Sequence, residues 1–305
     1  MTDSREQTHR RNHATGDGRG TRITALSSGE MADIARRVIT DDPVETANQL
    51  TTIKLIGRSA RDAVQTDPIG AFHKRLNRIG TVAHALYETA KPDNGEPPAY
   101  PDDEPGNAAR RAGSVAPILR FQSAGRKAAT VDHILDLSRI SNNAAPILAI
   151  AGHLGSLDHA NRRRLLDQTI ELFKDGYSNP FDHQAAASTL VVAHEHLEVD
   201  QKAALYDALR GNEDLSDRLA EADRRERLFG TRMGSSKMVK PYSADVNTSI
   251  DAIENSFQAL QADRGAETLK RLSRIRKLGN SINNAYNRAR EELMGSVRSR
   301  ENVGR

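Results

Sequence analysis

From Ser27 onward the apolar residues recur at helical spacing, and they come in short blocks, each preceded by a helix-start signal. In SSGE, Ser27 can cap a first turn while Glu30 reaches back to the Ser27 N–H, forming a reciprocal capping box. In DDPVE, Asp42 stands at the cap and Glu45 in the first turn, with Pro43 at the first helical position, where its missing N–H costs nothing. TDPIG repeats the device with Asp67 and Pro68. The pattern predicts three helices that turn Ile34, Val38, Leu50, Ile53, Leu55, Ile56, Phe72, Leu76, Ile79, Val82 and Leu86 inward.

The stretch KPDNGEPPAYPDDEPGN, residues 91–107, carries five prolines among Gly and acids, a composition that opposes both helix and strand. It predicts a linker, with a helical segment over 27–90 before it and a longer helical region over 108–228 after it. In that second region the pattern repeats. Ala144 to Ile170 aligns on Gln184 to Arg210 with Leu157 on Leu197, Leu165 on Leu205 and Asp167 on Asp207, each pair 40 residues apart. In both copies an apolar helix ends near the first Leu, an acidic turn follows, and a basic residue (Arg162, Lys202) opens a second helix. A degenerate earlier copy offers Phe121, Arg126 and Asp132. The Gly-, Ser- and Lys-rich residues 229–243 predict a flexible joint. Residues 244–305 predict a helical hairpin, from Ile250, Ile253, Phe257 and Leu260 and then Leu269, Leu272, Ile275, Leu278 and Ile282, with VRSRENVGR fraying at its end.

Composition sharpens the fold class. Hydrophobic residues make up 37% and aromatics 4% of the 305 residues, with a mean hydropathy of −0.63, so the core must be built from small side chains on closely stacked helices. Units of helix, turn and helix cannot bury an apolar face alone, and stacking them gives a shared core. The expected fold is therefore all-α, with stacked helix-turn-helix repeats of the HEAT/armadillo kind, a C-terminal helical hairpin and a disordered leader over 1–26. The leader is polar and Arg-, Ser-, Thr- and Gly-rich, without the apolar core of a secretory signal peptide. Apolar runs are a few residues long, against about 20 needed to span a bilayer.

Candidate chemistry is sparse. The absence of cysteine removes disulfides, thiolate metal sites and cysteine nucleophiles. His194 and His196 flank Glu195 two residues apart, a spacing that points them to different sides of a helix, so no metal site and no cofactor is predicted. GDGRG, from Gly16 to Gly20, follows no strand and opens no helix, and nothing marks a catalytic triad. The charged clusters are more informative. The net charge is +3, but Arg162, Arg163 and Arg164, with Lys202 in the second copy, and Lys270, Arg271, Arg274 and Lys277 on the last helix form basic faces. These eight are the candidate binding residues, with a partner's acidic surface or a nucleic-acid backbone as their ligand. Interleaved Asp and Glu favour a solvated face over phosphate binding.

LDHANRRRLLDQTI and LEVDQKAALYDALR, each a Leu, an acidic turn and a Leu- and Asp-bearing helix, resemble the α-helical repeats of type III secreted effectors of plant-associated bacteria. The resemblance covers about a quarter of the chain. It implies delivery into a host cell and action by binding, with a host protein or a secretion chaperone as partner, rather than catalysis. The expected function is a non-enzymatic interaction protein that binds through a repeat groove. The alternative is a nucleic-acid-associated helical protein that uses the Lys270 to Lys277 face and resides in the cytoplasm.

Overall fold

The computed structural model describes residues 26–90, 104–174, 180–210, 245–263 and 268–303, and helix is the only regular secondary structure among them. The expected leader, apart from Leu26, and the whole joint 229–243 lie outside the described residues.

The first two helix starts form as their residues dictate. Helix α1 (Ser28–Arg37) carries the full Ser27/Glu30 capping box, and in α2 (Pro43–Ile56) Asp42 accepts from the Val44 and Glu45 N–H groups at 2.8 and 3.0 Å. The pattern did not show a break at Gly57, after which the short α3 (Arg58–Gln65) folds back on α1 and α2. Helix α4 (Ile69–Thr89) also departs from expectation. Pro68, in the αR region, takes the cap position, and no side-chain cap bond forms, so Asp67 does not play the part predicted for it. The turn instead depends on Gly70, where a Cβ would stand 2.2 Å from the Gln65 carbonyl oxygen.

Three of the residues expected inward are not. Ile34 and Ile56 are each 38% exposed and Leu55 is 79% exposed. Helix α2 buries Pro43, Thr46, Leu50 and Ile53, and Leu55, two positions past Ile53, falls on the opposite side. Because α2 is apolar on more than one face, spacing alone does not select the buried one. Leu50, Ile53, Phe72, Leu76, Ile79, Val82 and Leu86 are buried.

Helix α5 (Glu104–Val115) begins inside the stretch expected to be a linker, with Pro105 tolerated in its first turn. A 3-10 helix η1 (Ala116–Phe121) follows directly, then α6 (Ala124–Ile140), the short α7 (Ala145–Leu148), η2 (Ala151–Ser156), α8 (His159–Lys174), α9 (Pro180–Val192), η3 (His194–His196) and α10 (Val199–Ala208). The hairpin pairs α11 (Val246–Ala262) with α12 (Thr268–Val303), whose helix runs on into the segment expected to fray.

One junction geometry occurs three times in this middle region. Gln122, Leu157 and Leu197 each end a 3-10 helix in an extended conformation, with φ/ψ of −93/150, −94/153 and −72/134. Each donates its N–H to a carbonyl three residues back, at 3.0, 3.0 and 3.2 Å. The next residue starts a helix by capping it. The Ser123 hydroxyl accepts from the Arg126 N–H, Asp158 accepts from the Asn161 N–H, and the Glu198 N–H donates to the Gln201 side chain. Leu157 and Leu197 are both buried, at 5% and 6% exposure, as equivalent positions require.

Asp158 is held below the usual carboxylate range chiefly by the Asn161 N–H. A depressed acid stabilises above its unfolded pKa, and that contribution is lost as pH falls through the folded value. Asp158→Ala should cost about 1 kcal/mol near neutral pH. Urea titrations should show the gap between the two proteins narrowing below about pH 4; a gap that persists at pH 2 counts against the cap.

Two hydrophobic cores result. One joins α1–α4 to η1 and to the C-terminal hairpin, with Leu50, Phe72, Ile79, Leu86, Ile250, Ile275 and Ile282 among its members. The other runs from Ala112 in α5 to Leu209 just past α10, through Leu119, Ile134, Ile147, Leu165, Leu190 and Leu205. The expected N-terminal segment and C-terminal hairpin thus share a core, and α12 packs on α4, α5, η1 and α11.

Candidate functional site

The three 3-10 helices and the turn before α2 face one side of α12, and between them lies a polar cavity of about 800 Å³. Its floor is built around Tyr286, the largest fully buried side chain. The Tyr286 ring meets Phe121 edge-on at 5.7 Å and Phe72 at 6.3 Å, and its hydroxyl donates to the Thr40 carbonyl at 3.0 Å. Burial pushes the phenol above its usual range, so it remains a donor.

Arg120, from η1, lies over that ring with its guanidinium 4.9 Å from the centroid. It donates to the Asn287 Oδ1 at 3.1 Å, to the Asn283 Oδ1 at 3.5 Å and to the Asp41 carbonyl. Asn283 in turn donates its Nδ2 to the Pro117 carbonyl. This approach of η1 to α12 passes over Gly279, where a Cβ would stand 3.2 Å from both Pro117 and Ile118. Arg290 is paired with the Asp41 carboxylate, and Lys127 Nζ lies 3.3 Å from Asp42.

The remaining walls are less committed. Asn280, Asn284 and Glu291 are exposed on α12 and line the cavity, and none makes a hydrogen bond or ion pair with another described residue. Across from them η2 presents Gly152, His153, Gly155 and Ser156, and η3 presents Glu195 and His196, 3.4 Å apart. Burial, with the Arg276 and Arg120 charges nearby, pushes the His153 imidazole below its usual range, so it is neutral at pH 7.

None of the eight residues expected to bind lines this cavity. Arg163 pairs with Glu198, with Asp200 at 2.5 Å and with Asp167 at 3.7 Å, and Arg164 pairs with Asp132 at 2.7 Å. These bonds join α8 to α10 and the turn before it, and to α6. Arg162 and Lys202 are half-buried on α8 and α10. On α12, Arg274 is paired with Asp263, Arg271 is half-buried, and Lys270 and Lys277 are exposed on the turns of the helix that precede the asparagines. Among the described residues no group of three or more His, Asp or Glu is placed to hold a metal ion.

The asparagines are the cavity-lining residues that spacing analysis overlooked. NSINNAYN places Asn280, Asn283, Asn284 and Asn287 on one helical face. Asparagine is among the poorer helix formers, so four in eight residues of a long helix is itself a signal that the face does something other than propagate the helix.

No family model and no solved structure matches the chain. A local likeness is found. Over 80 residues the chain is 30% identical to Virulence protein F of Agrobacterium tumefaciens (strain 15955), a stretch that is 25% of this chain and 40% of that protein. The chain therefore spans two fifths of the length of the curated relative it matches. The likeness is to a virulence protein, and no described helix is long and apolar enough to cross a membrane.

Proposed function

We propose that this chain is a virulence-associated interaction protein, delivered into a host cell, that binds a host protein in the polar groove between the 3-10 helices and α12. In this reading the three junctions at Gln122, Leu157 and Leu197 are stacked copies of one helix-turn-helix unit of the HEAT/armadillo kind. Contacts between successive copies support it. Asp132 and Asp167, each ten residues past its junction, bond to Arg164 and Gln201 in the helix that opens at the next junction, Asp167 at 2.6 Å from Gln201. The basic residues of α8 then serve the stacking, and the groove serves the partner.

The observation that carries the reading is the cavity itself. Each junction of the stack sends residues to it, and amides and acids with unused hydrogen-bonding capacity line it. Resemblance to a virulence protein over part of the chain gives the biological setting.

A plant two-hybrid library screened with the full chain tests the site. Interactors should be lost with Ser156→Trp, which fills the cavity from η2, and kept with the triple variant Lys270→Glu, Arg274→Glu, Lys277→Glu. Interactors that survive Ser156→Trp place the binding surface elsewhere. Tight, salt-sensitive retention on duplex DNA that the triple variant abolishes would favour the nucleic-acid alternative.

A further inference from the structure

Resting on the groove reading above, we propose that the groove takes an extended peptide segment of its partner, gripped along the backbone by the α12 asparagines and selected for a Lys or Arg side chain by Glu195 and Glu291. A carboxamide offers a donor and an acceptor in one plane, the same pair that an extended backbone presents. Asn280 and Asn284 are one turn apart, about 6 Å along the helix, close to the roughly 6.6 Å at which an extended chain repeats the same face. Their capacity is unspent on any described residue, whereas Asn283 and Asn287 are tied to Arg120 and hold the floor in place.

The opposite wall suits a main chain. Gly152 has nothing within 4 Å of where a Cβ would be, and at Gly155 only the His196 ring comes near, at 3.5 Å. A backbone can therefore approach η2 closely at Gly152. The stretch of α12 from Asn280 to Glu291 is about 16 Å long, room for about five extended residues.

Charge sets the sign of the side chain. The two arginines that line the cavity are committed to Asp41, one through its carbonyl and one through its carboxylate. Among the described residues Glu195 faces only a His196 imidazole 3.4 Å away, and Glu291 has no partner. A cationic side chain entering between them would have two carboxylates to meet. The chain as a whole carries +3, so generic attraction would favour an acidic peptide, and a preference for a basic one must come from the groove.

Fluorescence anisotropy of capped octapeptides against the full chain tests the proposal. The probes are alternating Ser-Lys, alternating Ser-Glu, and the Ser-Lys peptide with alternate backbone nitrogens methylated. The Ser-Lys peptide should bind at least about tenfold more tightly than the Ser-Glu peptide, and methylation should cost a similar factor. Asn280→Ala with Asn284→Ala, both exposed, should weaken Ser-Lys binding about tenfold at an unchanged melting temperature. Glu195→Gln with Glu291→Gln should erase the preference between the two charges. Equal affinity for the methylated peptide, indifference to the asparagine pair, or no binding of any peptide overturns the proposal. Loss of two-hybrid partners with Ser156→Trp alongside such a failure leaves the groove reading standing and sinks only the peptide.

Discussion

Replacing Tyr286 by alanine is expected to lower the melting temperature by on the order of 10 °C, because removing a buried aromatic costs about 3–5 kcal/mol. The ring is fully buried between Phe72 and Phe121 and supports the Arg120 guanidinium above it. Its loss opens a cavity under the groove and frees the group that positions Asn283 and Asn287. Tyr286→Phe separates packing from hydrogen bonding. It forfeits only the hydroxyl's bonds, to the Thr40 carbonyl and the Thr46 side chain, a loss of about 1 kcal/mol or somewhat more with an acceptor left unpaired. Differential scanning calorimetry on both variants checks the ratio. If the two shifts are similar, the ring does not carry the core.

Leu157→Ala and Leu197→Ala should each cost about 2–5 kcal/mol, and the two costs should be alike because the sites are alike. Both leucines belong to the second core, which α1–α4 reach only through the half-buried Tyr87 and which has no member from the hairpin among the described residues. Native-state hydrogen exchange should therefore show faster opening of α8–α10 in either variant, with α1–α4 and α12 changed much less. Uniform acceleration across the chain would mean that the two cores melt as one unit. A shift of less than about 1 °C in either variant would deny the equivalence of the junctions.

Much of the fold could be read from local chemistry, where a few adjacent residues decide the outcome. The Ser27 and Asp42 caps, the leucine pair 40 residues apart and the a/d spacing of the hairpin each depend on neighbours within one or two turns. Errors arose where the deciding neighbour is distant in sequence. The exposure of Leu55 depends on which face of α2 meets other helices, and the division of the chain between two cores depends on α12 returning to α4. The apolar helix expected before Leu157 is broken into α7 and η2, a run that holds Pro146, Gly152 and Gly155.

The candidate site was harder to read. Basic clusters drew attention as the most conspicuous charges, yet Arg163 and Arg164 find acids on adjacent elements, and those acids were visible as Asp132, Glu198 and Asp200 without their geometry. The groove is a product of packing, since Arg120, Asp41, Glu195 and the α12 asparagines converge from four separate parts of the chain. Only the asparagine run itself was available beforehand, as an excess of a poor helix former on one face.

The bond from Tyr286 to Thr40 spans 246 residues, and the first core draws its members from both ends of that span. A ribosome delivers Thr40 long before Tyr286, so the faces of α1–α4 that meet α12 stay uncovered until it arrives, while the leucine-lined middle can fold as soon as its own residues emerge. Loop closure over that length is slow relative to local helix packing. The groove, whose wall is α12, thus forms after the other described parts it is built from, and a chain cut short before residue 280 would lack it.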